Sequence, residues 1–405
     1  MKHRVVVTGL GVVSPVGLAP ADFYANLASG RSGIRSLPGD ETVVAGIVGF
    51  NAEDHFSKLE LIVLDRFSQF ALVAAGQAVA DAGLEREDLS TPRVGVYFGS
   101  GMGGANAIEA GYAGFFKNSS RRVPPSSVVA AMANAAAAHL SIKLGITGPV
   151  VTYSVACASS AIAIGEAFRS VRDGYLDIAI AGGSESLLNP GSIAAWSAMK
   201  VLAQCDPAHP EASCKPFSKD RSGLVLGEGA GVIVVERLEH AVVRGRRIHA
   251  EISGYGIACD ANNIAKPSRR GQVAALQSAL EDSGLSCADI DYLNAHGTAT
   301  TVGDVVETEA IKEVFGEVAY DLAVSSTKAL HGHLMGAAGA VEFIASLMSI
   351  ENRTILPTCH YSAKDPLCDL DYVPNVARTN TNVEAVMSSS FAFGGTNAVL
   401  VAQRF

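Results

Sequence analysis

Ten short apolar runs, rich in β-branched residues and bounded by Gly or Ser, punctuate the chain. In the first part they fall at Arg4–Gly9, Arg93–Gly99, Val150–Ala156, Asp177–Gly182 and Gly231–Arg237. In the second they fall at His249–Gly254, Asp289–Asn294, Leu322–Ser326, Ala385–Ser390 and Thr396–Arg404. Runs of this kind read as strands buried on both faces. Stretches of helical length lie between them: Asp65–Gly83, Ser159–Arg172, Gly271–Gly284, Thr308–Phe315 and Gly336–Ile350. The alternation predicts largely parallel sheets with right-handed crossovers, and the last two runs of each half are placed to pair antiparallel. The two series match in order. The chain therefore reads as two copies of one βαβαβαββ-like unit, residues 1–245 and 246–405, with a seam at Gly245–Ile248 and no flexible linker. Two such units stack as a five-layered α/β/α/β/α sandwich, one rigid body of two pseudo-repeated halves.

The chain has 405 residues, of which 48% are hydrophobic and 18% charged. Globular chains carry about 25% charge, so disorder and fibrous repeats are excluded. One Trp and 6% aromatic residues argue against an all-β scaffold. The charge-free stretches Val123–Ile142 and Leu144–Gly165 are broken by Pro124, Pro125, Asn134, Gly148 and Pro149 and are no membrane helices. The N-terminus enters a strand with no secretory apolar segment. Seven cysteines form an odd set without a CxxC pair or metal-ligand spacing, which suits reduced thiols in a cytoplasm and no metal. A net charge of −9 disfavours nucleic acid as a partner. Local basic clusters remain at Arg121-Arg122 and at Lys266 with Arg269-Arg270.

Three loops that follow strands can carry chemistry, as parallel-sheet sites usually do. Val151-Thr-Tyr-Ser-Val-Ala-Cys157-Ala-Ser-Ser160 places a thiol at a strand-to-helix turn, where the positive end of a helix lowers thiol pKa. An inert buried cysteine is the commoner fate of any single Cys, so position alone leaves both readings open. Asn294-Ala-His296-Gly-Thr298-Ala-Thr300 ends a second run. Ser325-Ser-Thr-Lys328-Ala-Leu-His331-Gly-His333 ends a third and precedes the small residues Gly336–Ala340. One Cys and two His at such places in a duplicated α/β chain are not easily coincidence. The glycine-rich stretches carry less. Gly9-Leu-Gly11 lacks the third glycine of a dinucleotide site, and Gly99-Ser-Gly-Met-Gly-Gly104 lacks the Lys-Ser/Thr of a P-loop. Gly394-Gly395, after Phe391-Ala392-Phe393, reads as a tight turn presenting backbone amides.

Ala156-Cys157-Ala-Ser-Ser160, Gly227-Glu-Gly-Ala-Gly231, Asn294-Ala-His-Gly-Thr298, Gly332-His333 and Phe393-Gly-Gly-Thr-Asn397 together resemble the β-ketoacyl-acyl-carrier-protein synthases of the thiolase superfamily. The resemblance runs over essentially the whole chain and is closest to the elongating types I and II, nearer type II. It implies a thiolase-like fold and a ping-pong decarboxylative condensation. Cys157 would take an acyl group from a carrier protein. His296 and His333 would polarise a malonyl thioester as CO2 leaves, and the amides of Cys157 and Phe393 would hold the oxyanion. Lys328 would pair with Glu307 to order the histidine loop, and Thr298 and Thr300 would bind the phosphopantetheine arm. Ala156, Met102 beside Phe393, and Ser127 from across a dimer would line the acyl pocket. Arg121, Arg122, Lys266, Arg269 and Arg270 would dock the acyl carrier protein. No cofactor is implied beyond phosphopantetheine on that carrier. A homodimer, or a heterodimer with a chain-length subunit, is implied through the strand holding Cys157.

The chain departs from the family pattern at Val155, Ala265 and Ala392, at Ser218 and Ser222, and at the apolar Leu61-Ile-Val-Leu64. With small Ser126 and Ser127 in the pocket loop, these point to a specialised enzyme with room for a longer or stiffer chain. Three alternatives have discriminators. A coenzyme A thiolase would carry a second Cys in a Cys-x-Gly turn, where this chain has Phe393-Gly394-Gly395. A noncatalytic chain-length subunit would lack Cys157. A Cys-His hydrolase would use water as acceptor without decarboxylation.

Overall fold

The computed structural model describes residues 2–117 and 122–405. Ten strands make one continuous mixed sheet. The first half contributes β1 (Val5–Val13), β2 (Val94–Gly99), β3 (Val150–Tyr153), β4 (Ile178–Glu185) and β5 (Gly229–Arg237). The second contributes β6 (Ala250–Cys259), β7 (Tyr292–Asn294), β8 (Ala323–Ser325), β9 (Ala385–Phe391) and β10 (Thr396–Gln403). The spatial order is β8-β7-β9-β10-β6-β1-β5-β4-β2-β3. Read outward from the middle, the halves have the same order. They join where Val5–Val7 of β1 pairs antiparallel with Ala250–Ile252 of β6.

The expected run of parallel sheet is confined to the outer strands of each half, β3-β2-β4 and β8-β7-β9. The reason is the strand pair that ends each half. β5 lies antiparallel to β4, and β10 to β9; the first strand of the half then adds antiparallel to that pair's free edge.

Side chains alternate between the two faces of each strand and build separate cores. Ala398, Leu400 and Ala402 of β10 join Val5, Val7 and Val12 of β1 in a central core around α3 (Ser159–Arg172) and α6 (Ala338–Asn352). Val399 and Val401 face the other way, onto α4 (Arg269–Ser283) and α5 (Gly303–Phe315). On the opposite outer face α1 (Arg66–Asp81) and α2 (Ala135–Leu144) cover Val94, Val96, Ile178 and Val234. These are the five layers. The helices Pro20–Ala28, Ala105–Lys117, α2 and Pro190–Ala198 were not among the expected ones.

Gly9 and Gly11 have a packing role. A Cβ on Gly9 would lie 2.0 Å from the Ala78 carbonyl oxygen, and one on Gly11 1.9 Å from that of Ala74. In the second half Gly254 and Gly256 meet the carbonyls of Ala279 and Ala275 at 2.5 and 2.1 Å. Each half thus repeats one device: Gly-x-Gly on its first strand against Ala-x-x-x-Ala on a helix.

His249 fastens the seam. Its backbone N–H donates to the Val7 carbonyl at 2.9 Å, and its ring bridges Asp81 at the end of α1 and Glu351 in α6, both at 2.8 Å. Although burial opposes the charge, the two carboxylates raise the imidazole to about 9. A pKa raised on folding stabilises fully below the unfolded value, about 6.5. That contribution, on the order of 3 kcal/mol, is lost as pH climbs through about 9. Urea unfolding should therefore show His249→Gln far less stable than the parent at about pH 6, with the gap closing by about pH 10. A gap independent of pH would contradict the ionic seam.

Candidate active site

Cys157 sits where β3 gives way to α3, in the single turn Ala156–Ala158. Ala156 has φ +44°, a left-handed conformation that costs a residue with a Cβ about 1–3 kcal/mol. Ser159 holds the strained turn closed: its Oγ accepts from the Val155 N–H at 2.8 Å and donates to the Ala156 carbonyl at 2.7 Å. Val155 packs its side chain onto the central core.

The turn carries the thiol to 2.9 Å from His333 Nε2. The His296 ring lies edge-on to His333 with centroids 5.3 Å apart, and the donor atoms of all three residues fall within 4.8 Å of one another. Cys157 thus converges with two histidines that lie well over a hundred positions further along the chain. They form the floor of a cavity of about 490 Å³.

Burial dominates the electrostatics. It pushes the Cys157 thiol up to about 12, outweighing the Phe393 backbone amide and the Lys328 charge that favour thiolate. The lowered thiol pKa expected from the helix end is thus not what the folded site produces, and the resting form is the neutral thiol. Desolvation, with help from Lys328, holds both His296 and His333 well below the usual imidazole range. Both rings are neutral near pH 7.

Lys328 does not pair with Glu307. Its Nζ meets Glu342 of α6 at 2.5 Å, with both side chains fully buried; the contact is an ion pair and not an aligned hydrogen bond. Glu307 rises from α5 and accepts the backbone N–H groups of His296 and Gly297, both at 2.7 Å. It fixes the histidine turn by its main chain, and burial raises its carboxyl to about 8.

Thr298 and Thr300 line the cavity with their hydroxyls 3.3 Å apart. Ala265 and Lys266 are at its exposed rim. Phe393 stacks on Trp196, ring centroids 5.9 Å apart. The next two residues, Gly394 at φ +88° and Gly395 at φ +78°, turn the chain as only glycine does without strain. The Gly394 N–H then donates to the Ile264 carbonyl at 2.7 Å. Ala156 and Ala392 pack beside Phe393 in one apolar cluster with Cys157.

Other expected residues fall elsewhere. Met102 is half exposed and is not part of the cavity wall, because its turn directs its backbone N–H to Glu185. Ser127 opens the short helix Ser127–Ala131, partly buried against Gly111, and its expected place is the pocket of a second chain rather than of its own. Arg122 and Arg270 are exposed; Arg269 pairs with Glu313 at 3.0 Å; Arg121 lies outside the described residues. Ser222 lines the cavity, whereas Ser218 donates to Asp220 at 2.6 Å. The sequence reading missed Glu185 and Trp196. An acid ending a buried strand at Gly182-Gly-Ser-Glu185 was the available signal for the first; the lone Trp gave none.

Because the Lys328 charge adds to desolvation in holding the histidines neutral, removing it should raise their pKa values. The paired variant Lys328→Met/Glu342→Gln avoids leaving a buried carboxylate alone, which would cost about 3–5 kcal/mol. In it the NMR titrations of His296 and His333 should move to higher pH than in the parent. Unmoved titrations would remove Lys328 from the electrostatics of the site.

The beta-ketoacyl synthase N-terminal domain family matches residues 2–241, and the C-terminal domain family matches residues 249–362. The chain is 43% identical to 3-oxoacyl-[acyl-carrier-protein] synthase 2 of Staphylococcus aureus (strain N315), covering 100% of this chain and 99% of that one. A type II PKS ketosynthase, solved with its acyl-carrier protein and bound to the hexaketide, superposes over 100% of both chains with TM-score 0.92 and 32% identity. The ishigamide ketosynthase/chain length factor superposes equally fully, with TM-score 0.91 and 33% identity. With both halves matched and the cysteine and two histidines brought to one point, the chain belongs to the β-ketoacyl synthase family.

Proposed function

We propose that Cys157, His296 and His333 carry the decarboxylative Claisen condensation by which this acyltransferase joins an acyl thioester to malonyl-acyl-carrier protein, giving the 3-ketoacyl product of fatty-acid or polyketide synthesis. The observation that carries the reading is the 2.9 Å contact between Cys157 Sγ and His333 Nε2, with His296 beside it, on the floor of the cavity.

The neutral resting thiol loses its proton as it attacks. His333 Nε2 is placed to take that proton while sulfur bonds to the acyl carbonyl carbon. The carrier thiol leaves with a proton, and Cys157 holds the acyl group as a thioester. The Phe393 amide favours the thiolate, and with the Cys157 amide it would hold the oxyanion. When the malonyl arm enters past Thr298 and Thr300, the two neutral imidazoles donate to its thioester oxygen, His333 having moved its single proton from Nδ1 to Nε2 between the two half-reactions. The bond from the α-carbon to the carboxylate breaks, CO2 departs, and the electron pair becomes an enolate. The α-carbon attacks the acyl carbonyl, the bond to sulfur breaks, and solvent returns the proton to Cys157. Every proton and electron pair is accounted for without a metal or diffusible cofactor. The turn at Phe393-Gly394-Gly395 holds no second cysteine, which favours this course over a coenzyme A thiolase.

The edge strand β3 leaves Val150 and Val151 exposed. An open apolar edge of this kind suits a second subunit, either the same chain or a chain-length partner.

Incubation with acyl- and malonyl-carrier proteins should release CO2 and form a 3-ketoacyl product. Intact-mass spectrometry should show an acyl adduct that Cys157→Ala abolishes, while decarboxylation of malonyl-carrier protein persists through the two histidines. An adduct that survives the substitution would refute the assignment of the nucleophile. For docking, Arg121→Glu/Arg122→Glu should raise the KM for carrier-borne substrate and leave a small pantetheine thioester unaffected. Equal loss with both substrates would exclude these arginines from docking.

A further inference from the structure

Glu185, at the end of β4, is fully buried and has no role in the steps above. Its carboxylate accepts four hydrogen bonds, all from neutral donors. Oε1 takes the Ser100 hydroxyl and the Met102 N–H, each at 3.2 Å; Oε2 takes the Gly101 N–H at 2.6 Å and the Gly336 N–H at 3.1 Å. These donors come from two separate pieces of chain. Ser100–Met102 is the turn after β2, and Gly336 belongs to the turn Met335–Ala337 that follows His333.

The first turn touches the nucleophile's own turn. A Cβ on Gly101 would lie 3.7 Å from Ala156 Cα, and Ser154 Oγ donates to the Gly101 carbonyl at 3.1 Å. The two turns also press on each other. A Cβ on Gly336 would lie 2.3 Å from the Gly101 nitrogen and 2.6 Å from Glu185 Oε2, while one on Gly101 would lie 2.7 Å from the same oxygen. Glycine is required at both places because the carboxylate occupies the space between them. Gly101, within the glycine-rich stretch Gly99–Gly104, has its explanation here.

We propose that Glu185 is a positioning residue that sets the distance between Cys157 Sγ and His333 Nε2 by clamping the turn against Ala156 to the turn behind His333. The clamp is complete only with an ionised carboxylate, since all four partners donate and a carboxamide or protonated acid gives up an acceptor position; burial raises this carboxyl to about 7 against the pull of the four donors. The carboxylate also acts on Cys157 through space, adding to the upward push on the thiol.

The test uses the full-length chain and separates position from charge. In Glu185→Gln, acylation of Cys157 should slow about 10- to 100-fold, as misplacement of a reacting group does. The pH profile of Cys157 alkylation by iodoacetamide should move to lower pH, because a nearby negative charge is gone. Glu185→Asp keeps the charge but falls one methylene short. It should hold the alkylation profile near the parent's while acylation stays slow. Ser100→Ala, which removes one donor and leaves the carboxylate in place, should cost much less and serves as the variant least able to disturb folding. Thermal unfolding of each variant establishes that the chain is folded. Folded Glu185→Gln with the parent's acylation rate and alkylation profile would overturn the proposal. So would a loss of acylation in Glu185→Gln fully restored by Glu185→Asp, since charge alone would then account for it. Because alkylation reads the thiol without turnover, its result stands apart from whether the chain condenses malonyl units.

Discussion

Two helices that start side by side in the central layer make the site possible. α3 begins at Ser159 and α6 at Ala338, and they pack so closely that a Cβ on Gly339 would lie 2.7 Å from the Ala161 methyl. Ser160 Oγ then accepts the Ala340 N–H at 2.9 Å, tying one helix start to the other. The turn before α3 carries Cys157, and the stretch before α6 carries His333. The small residues at these helix starts therefore do more than relieve crowding. They bring two loops from opposite halves of the chain within reach of one hydrogen bond.

Desolvation then sets the chemistry. Burial at the cavity floor favours a neutral thiol and two neutral imidazoles, with the cation of Lys328 paired to Glu342. A neutral imidazole can donate to a developing oxyanion without first gaining a proton, and it can accept a proton from the thiol. One set of groups serves both half-reactions because burial has removed the charges that would favour either one at rest.

Much of this was legible in the sequence. All ten apolar runs became strands, because a strand covered on both faces must be apolar throughout, and that pattern survives without knowledge of its neighbours. Cys157, His296 and His333 were identifiable from their places after strands. Side-chain partners were not. Glu307 and Glu342 are both buried acids near Lys328, and only the helix on which each rides decides which one meets the amine. Strand direction was legible in the antiparallel pair that closes each half but not at each first strand, whose antiparallel pairing and seam depend on edges far apart in sequence. The N-terminal Gly-x-Gly looked like a fragment of a ligand loop until its counterpart at Gly254 and Gly256 appeared against the same kind of helix.

Thirteen consecutive residues of α6, Ala338 to Ile350, are buried. A helix with no solvent face cannot be stable until both halves of the sheet enclose it, and the face of α3 that packs on α6 has no cover until α6 arrives. During synthesis the first half is therefore left with an open apolar surface while the ribosome adds the residues from the end of α3 to the end of α6. At usual elongation rates of about 5–20 residues per second this wait is on the order of ten to forty seconds. The fold that buries the site thus leaves the first half of the nascent chain with an open apolar surface until α6 is made.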